Sequence, residues 1–330
     1  MQENARPTFV VLTPVRNEAW ILRAFLEATS LWADFIIIAD QMSEDGSREI
    51  VKSFPKAILV DNDRKEMHQA ATRRLLFEES RKIPGDKILF ALDADEFLSG
   101  DFIHTEDWKR IVNSGPNDMF WWRWMNLKRD DPTQYSTFKH YYWAVHESDS
   151  VWEGDFPDNF IHEWRLPWLA DAGSFELNDF CSIHFARVNS LRQRNKERFY
   201  QVSTLSRNPS ANPIKLYRQY HAEEKLTYVP LPDDAYCFYH AHGIDIWKLV
   251  DLKDEGDYYS KEILRLFTEK GTGKFALLDI WDQDWMNKFG IKDPRTRFQK
   301  IIHKYLSVTT QYSRSLFVRV LDKIVELLVK

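Results

Sequence analysis

Four short apolar runs, each closed by polar or acidic residues and separated by helix-compatible stretches, constrain this chain more than any other feature. The runs cover residues 8–12, 35–39, 57–60 and 88–92. Their near-continuous Val, Ile, Leu and Phe content reads as strands buried on both faces. Between them, 18–31 carries Ile21, Leu22, Phe25 and Leu26 on one stripe, 46–54 is a short helical stretch, and 67–83 turns Ala70, Ala71, Leu75 and Leu76 inward. Strand and helix in alternation imply a parallel sheet with right-handed crossovers. The expected fold class is α/β: a Rossmann-like, mostly parallel sheet flanked by helices, with a helical C-terminal region. Ligands of such sheets bind beyond the carboxyl ends of the strands. The most suggestive polar residues fall there: 13–18 after the first run, Asp40 and 43–47 after the second, Asp61 and Asn62 after the third, Asp93 and Asp95 after the fourth.

The run Leu92-Asp93-Ala94-Asp95-Glu96 sets its carboxylates at the exit of the fourth strand. In extended chain, residues two apart point to the same side, so Asp93 and Asp95 can face one ligand while Ala94 leaves room for it. Two hard oxygen donors suit Mg²⁺ or Mn²⁺, which keep further positions for water and phosphate oxygens. Taken alone, the same triplet also describes a solvated acidic turn.

Three motifs in order carry a resemblance: Thr13-Pro14-Val15-Arg16-Asn17-Glu18, then Asp40 with Ser43-Glu44-Asp45-Gly46-Ser47, then Leu92-Asp93-Ala94-Asp95-Glu96. Together they resemble the successive motifs of glycosyltransferase family 2, with its GT-A nucleotide-sugar fold, over roughly the first third of the chain. The resemblance implies an inverting transferase that displaces a nucleoside diphosphate from an activated sugar, with a glycan or other hydroxyl as acceptor; the acidic donors suit Mn²⁺ or Mg²⁺ as cofactor, and UDP is the first choice of nucleotide because an acid such as Asp40 pairs well with the imide N–H of uracil. Donor binding is expected from Thr13, Pro14, Val15, Arg16, Glu18, Asp40 and Asp93, with Arg73 near the base or the phosphates, and metal binding from Asp95 with Asp93. Many relatives carry a second acid beside the first; here it is Gln41, so base recognition rests on Asp40 or its neighbours.

A formal charge of −5, from 45 Lys and Arg against 50 Asp and Glu, with no basic face in view, argues against nucleic acid as a partner. Cys181 and Cys237, the only cysteines, read as reduced, buried thiols in a cytosolic protein. No apolar stretch approaches the length of a bilayer span, so the expected setting is cytoplasmic, with peripheral membrane contact as a variant.

Beyond residue 100 the alternation fades into an aromatic region including Phe120-Trp121-Trp122-Arg123-Trp124-Met125, Trp143, Trp152, Trp164 and Trp168. Most of these rings read as packing, the 120–125 run as a strand buried on both faces. Flat rings also suit the C–H faces of a sugar, which places the acceptor half here. One catalytic domain is expected over 1–205, with a nucleotide-sugar half (1–100) and an acceptor half (101–205), and a helical region for packing or oligomerisation over 206–330.

Inverting transfer needs a base near the acceptor hydroxyl, ordinarily a carboxylate. Asp149 and Glu163 rank equally, Glu163 through likeness to the family's His-Glu element, with Asp155 and Asp158 behind them. Surface acids paired with Arg165 or Arg187 are the plain alternative. Cys181–Phe185 reads as a strand whose His184, by the resemblance, completes the metal site or touches the diphosphate. The helix 189–205 after it carries Arg192, Arg194, Lys196 and Arg198, cations suited to a leaving diphosphate. His240 and His242 form a weaker chelating pair. Near the end, Phe317, Val320, Leu321, Ile324, Leu327 and Leu328 share a helical stripe that docks on its own domain or forms a homo-oligomer seam; mixed charge makes a membrane surface the weakest reading. A GT-A-fold protein binding nucleotide or glycan without catalysis is the alternative function. A nucleotidyltransferase is weaker still, because 13–18 holds neither a Gly-rich phosphate loop nor a Lys.

Overall fold

A computed structural model describes residues 6–65, 68–147, 165–166, 173–220 and 226–328, with the side chains of 138–142 excepted. The chain divides into two units: Met1–Val188 with Val229–Lys253, and Asn189–Tyr228 with Asp254–Lys330. Position 205, the expected boundary, falls inside a helix of the second unit, Ser190–Arg207.

The first unit is built on strands β1 (Thr8–Val15), β2 (Phe35–Asp40), β3 (Ala57–Asp61), β4 (Lys87–Ala91), β5 (Glu96–Leu98), β6 (Met119–Lys128), β7 (Asp131–Glu147), β8 (Ser174–Glu176), β9 (Ser182–His184) and β10 (Val229–Pro230). Its helices are α1 (Ala19–Ser30), α2 (Ser47–Lys52), α3 (Gln69–Ser80) and α4 (Glu106–Val112), with the later α7 (Cys237–Ala241) and α8 (Ile246–Leu249). The second unit contains α5 (Ser190–Arg207), α6 (Pro213–Tyr220), α9 (Asp257–Lys270), α10 (Gln283–Phe289), α11 (Arg297–Thr309) and α12 (Leu316–Leu328).

The sheet runs β3-β2-β1-β4-β7-β6-β9-β5. β3, β2, β1 and β4 are mutually parallel, whereas β7 joins β4 antiparallel and opens a mixed half. The expected α/β class therefore holds, with parallel pairing concentrated where the four apolar runs lie. Alternate residues feed two cores. Phe9, Val11, Ile36, Ile38, Ile88 and Phe90 face α1 through Ile21, Leu22 and Phe25, and Val10, Leu12, Ile37, Ala39, Leu89 and Ala91 face α3 through Ala70, Leu76 and Phe77. Each fully buried Ile, Leu or Phe contributes about 1.5–3 kcal/mol of transfer free energy, which favours apolar residues at the buried positions of both faces.

Three local expectations are corrected. Among the described residues β3 is an edge strand, and its Ile58 is 39% exposed. β6 buries Phe120 and Trp122 but exposes Arg123 and leaves Trp121 and Trp124 half-buried; register shifts at Phe120/Trp121 and Trp122/Trp124 break the alternation there. Cys181 and Cys237 are free thiols, as expected, but half-buried.

In the second unit, Ile214 and Tyr217 of α6 pack against Ile302 and Leu306 of α11, with Tyr305 and Val325 at the margin. Arg192 pairs with Asp254, Arg194 with Asp279 at 2.9 Å and Arg198 with Asp282 at 2.7 Å. These α5 cations thus fasten their own unit. Among the described residues, no helix is long and apolar enough to cross a membrane.

Candidate functional site

The carboxyl ends of β1, β2, β3 and β4 lie along one edge of the parallel half, and two clusters of polar side chains form there. The first joins the turns after β1 and β2. Asn17 takes a left-handed conformation (φ 56°), which Asn tolerates better than most residues. Its Oδ1 accepts from the Glu44 amide at 2.8 Å, and its own amide donates to Ser43 Oγ at 2.8 Å. Glu18 donates its amide to Ser47 Oγ at 3.0 Å and accepts from Trp20 Nε1 at 2.6 Å. Asp45 ties in both neighbours, accepting from the Ala19 and Ser47 amides. Gly46, at φ 94°, then starts α2 from a conformation that would strain any side chain.

Within this frame Asp40 closes β2, 1% exposed, and one of its oxygens takes Arg48 Nη1 at 2.8 Å. The other Arg48 nitrogen holds Asp61 at 2.6 Å, across the β2–β3 register in which Asp40 and Asp61 are partners. Among the described residues, Asp40 Oδ1 and Thr13 Oγ1 are buried without a hydrogen-bond partner. A buried polar atom left unsatisfied costs about 1–3 kcal/mol, so the free oxygen of Asp40 is suited to a donor. Pro14 and Val15 complete β1, Val15 in register with Asp40, and Arg16 donates to the Lys65 carbonyl at 3.3 Å.

The second cluster follows β4. Asp93 is held by two arginines, Arg73 at 2.6 Å on one oxygen and Arg165 at 2.7 Å on the other. Burial pushes the Asp93 carboxyl up, but Arg165 and Arg73 prevail and hold it below the usual carboxylate range. Glu96 is enclosed completely: Arg165 grips both its oxygens (2.6 and 2.8 Å), Trp124 Nε1 donates to one and the Asp93 amide to the other. Arg165 itself lies over the Trp143 ring, 4.4 Å from its centroid. Against the burial that opposes its charge, Asp93 and Glu96 raise its pKa.

Across the β6–β9–β5 ladder, Asn126, His184 and Glu96 stand in one row. His184 stacks on Trp124 (centroids 4.7 Å apart, planes 7° apart), and its Nδ1 lies 2.6 Å from Asn126 Oδ1. In the neutral ring, an Nδ1–H donated to that oxygen leaves Nε2 as an acceptor, and Nε2 faces Asp95 Oδ2 at 3.5 Å. Two acceptors at this separation repel unless a cation or proton lies between them. Two ligands of a cation with bonds of about 2.1 Å stand roughly 3.0–3.5 Å apart, so the pair fits Mn²⁺ or Mg²⁺ with little movement. Asp95, Glu96 and His184 offer ligand atoms within 4.8 Å of one another. With four donors on its four acceptor directions, Glu96 positions its neighbours and leaves ligation to Asp95 and His184.

Of the metal set expected from sequence, Asp95 and His184 come together, while both oxygens of Asp93 go to arginines. Arg73 joins Asp93; Thr13 and Asp40 sit at neighbouring strand ends. Asp149, Glu163, Asp155 and Asp158 lie outside the described residues. His240 lies in α7, and His242 Nδ1 stands 2.7 Å from the Phe238 carbonyl of the same segment. The sequence assigns no site role to Arg48, Glu96 or Asn126, reads Trp124 as packing and reads Arg165 only as a salt-bridge partner for the candidate bases. Glu96 sits inside the acidic motif, and that adjacency was the one signal available for it.

No protein-family model matches the chain, and no curated protein does. Among solved structures it is similar to glucosyl-3-phosphoglycerate synthase from Mycobacterium tuberculosis, determined with Mn²⁺, UDP and glucosyl-3-phosphoglycerate: 16% identity over 36% of this chain and 44% of that one, TM-score 0.27. It is similar to HddC from Yersinia pseudotuberculosis at 12% identity, over 55% of this chain and 94% of that one, TM-score 0.31. A third likeness, GalNAc-T7 with UDP, GalNAc and Mn²⁺, gives 12% identity over 82% of this chain and 58% of that one, TM-score 0.38. The chain thus spans less than two thirds of the first and third of these proteins. Nothing about its chemistry follows from likeness this distant.

Proposed function

We propose that the chain is a metal-dependent, inverting glycosyltransferase of the GT-A type, close to family 2 in its motifs, acting on a nucleotide-sugar donor and a hydroxyl of a glycan or glycosylated acceptor. The observation that carries this reading is the facing of Asp95 Oδ2 and His184 Nε2 at 3.5 Å, with the imidazole tautomer fixed by Asn126. Asp95 and His184 would hold Mn²⁺ or Mg²⁺, which when bound supplies positive charge against a leaving diphosphate. Asp40, with one oxygen engaged by Arg48 and the other without a partner among the described residues, suits the imide N–H of uracil, which favours a UDP-sugar. Arg73 and Arg165 fix Asp93 toward the ribose or the metal shell.

In the transfer, the acceptor oxygen forms its bond to the anomeric carbon as the bond to the diphosphate breaks, and the acceptor proton passes to a carboxylate across the sugar from the leaving group. Asp149 or Glu163 takes that role in this proposal, with Asp155 and Asp158 next. The proposal places the protein in the cytoplasm.

The test is a panel of UDP-, GDP- and dTDP-sugars with Mn²⁺, read by calorimetry and by released nucleoside diphosphate. Wild type should bind one donor in a metal-dependent way and Asp95→Ala should not, with its fold intact. Metal-dependent affinity unchanged in Asp95→Ala refutes the assignment. Once the acceptor is known, loss of the base, by Asp149→Asn or Glu163→Gln, should lower kcat about a hundredfold to ten-thousandfold with donor affinity unchanged.

A further inference from the structure

Helix α12 has two apolar faces, and only one of them is used. Val318, 3% exposed, and Val325 turn toward the core of the second unit. Asp322 turns the same way, to Arg218 at 2.8 Å and to the Tyr305 hydroxyl at 2.8 Å. At 100° per residue, Leu316, Phe317, Val320, Ile324, Leu327 and Leu328 fill an arc of roughly 120° on the other side. All six are 48–77% exposed. In the same unit, α11 leaves Ile301 and Val308 65% and 63% exposed. Isolated exposed apolar residues are ordinary; a full helical face of them marks an interaction surface.

Charge selects the occupant. Residues 291–330 carry nine Lys and Arg against three Asp and Glu, net +6, in a chain whose total is −5. Two of the three acids are neutralised within the unit, Asp322 by Arg218 and Asp293 by Arg295 and Lys300. On α12, Asp322 thus faces inward while Arg319 and Lys323 face out, and the half-buried Glu326 stands about 20° from Arg319 on the helical wheel. Arg319 and Lys323 are exposed and border the apolar arc, and Arg314 is exposed just before the helix. A second copy docked face to face would set one basic rim against another. An anionic bilayer offers apolar depth and opposite charge together.

We infer that α12 is a membrane-surface helix that lies in the headgroup region of an anionic lipid bilayer, its Phe317–Leu327 face toward the acyl chains and Arg319 and Lys323 toward lipid phosphate or carboxylate. This does not depend on the chemistry proposed above. A helix of 13 residues with one face inserted gives reversible attachment and no span.

The experiment is sedimentation of the full-length protein with vesicles of phosphatidylcholine alone and of phosphatidylcholine containing about one third phosphatidylserine. Wild type should bind the anionic vesicles and release as salt is raised. Arg319→Gln with Lys323→Gln should weaken that binding about fivefold per charge removed, roughly 25-fold together. Phe317→Ser with Leu327→Ser should abolish it, and both double variants should keep the wild-type melting temperature because the side chains are exposed. Failure of the wild type to bind anionic vesicles at low salt overturns the inference. So does equal, salt-insensitive binding to both vesicle types. Absence of lipid binding together with a light-scattering mass of twice 39.3 kDa, reduced to one copy by Phe317→Ser with Leu327→Ser, would assign the face to a second copy instead.

Discussion

Replacing Arg165 with Met tests the clamp behind the metal pair. Met retains an apolar stem against the Trp143 and Trp124 rings, which lie 4.4 and 5.2 Å from the guanidinium, and removes only the charge and its hydrogen bonds. Glu96, 1% exposed, then keeps Trp124 Nε1 and the Asp93 amide but loses both bonds to its countercharge. Asp93 retains Arg73 alone. Removing one partner of a buried ion pair leaves an uncompensated charge and costs about 3–5 kcal/mol. At roughly 2–4 °C per kcal/mol for a unit of this size, melting should fall by about 6–20 °C. Urea unfolding followed by tryptophan fluorescence suits the measurement, since Trp124 and Trp143 both touch the replaced group. Glu96→Gln in the Arg165→Met background removes the stranded charge, so the double variant should be more stable than the sum of single losses by more than about 1 kcal/mol. A single-variant cost below about 1 kcal/mol, or losses additive to within about 0.5 kcal/mol, would show that Arg165 is not the countercharge.

Asn126→Ala should free the His184 tautomer and weaken Mn²⁺ affinity about 10–100-fold, read by titration calorimetry; unchanged affinity would remove Asn126 from the site. Asp40→Asn should reduce uridine nucleotide affinity roughly ten- to a hundredfold, the range of a hydrogen bond to a charged group, and equal binding by calorimetry would place the base elsewhere. His303 donates its Nε2–H to the Ala276 carbonyl at 3.0 Å, and burial holds its pKa below the ordinary 6.5 despite that bond. The unfolded chain therefore binds a proton that the folded one resists. The contribution should be complete above pH 6.5 and fall as pH drops toward the folded value, with a slope below the one-proton limit of about 1.4 kcal/mol per pH unit; a His303→Gln variant with an unchanged pH dependence would refute this.

What the sequence disclosed and what it hid divide along a physical line. The helix expected over 18–31 is observed as Ala19–Ser30, and the first four runs are the four parallel strands, because burial on two faces and helical periodicity are local properties of the chain. The metal pair is not local. Asp95 and His184 are adjacent only because β5 pairs with β9 and β9 with β6, a register that no spacing encodes, and His184 was reached through resemblance alone. Arg165 shows the same limit more sharply: an arginine far along the chain from Asp93 and Glu96 carries no sign that it supplies their countercharge. The rings of β6 were assigned mainly to packing, and Trp124 does pack, yet it does so on His184 and donates to Glu96, so one side chain orients the ligand and its neighbour together. The last helix gives the converse lesson. Its longest apolar stripe was legible, but periodicity reports which residues share a face and not which face is inside. Here two valines and the Asp322–Arg218 pair fix the inner side, and that same pair takes up one of the helix's two acids, leaving Glu326 beside the outer cations.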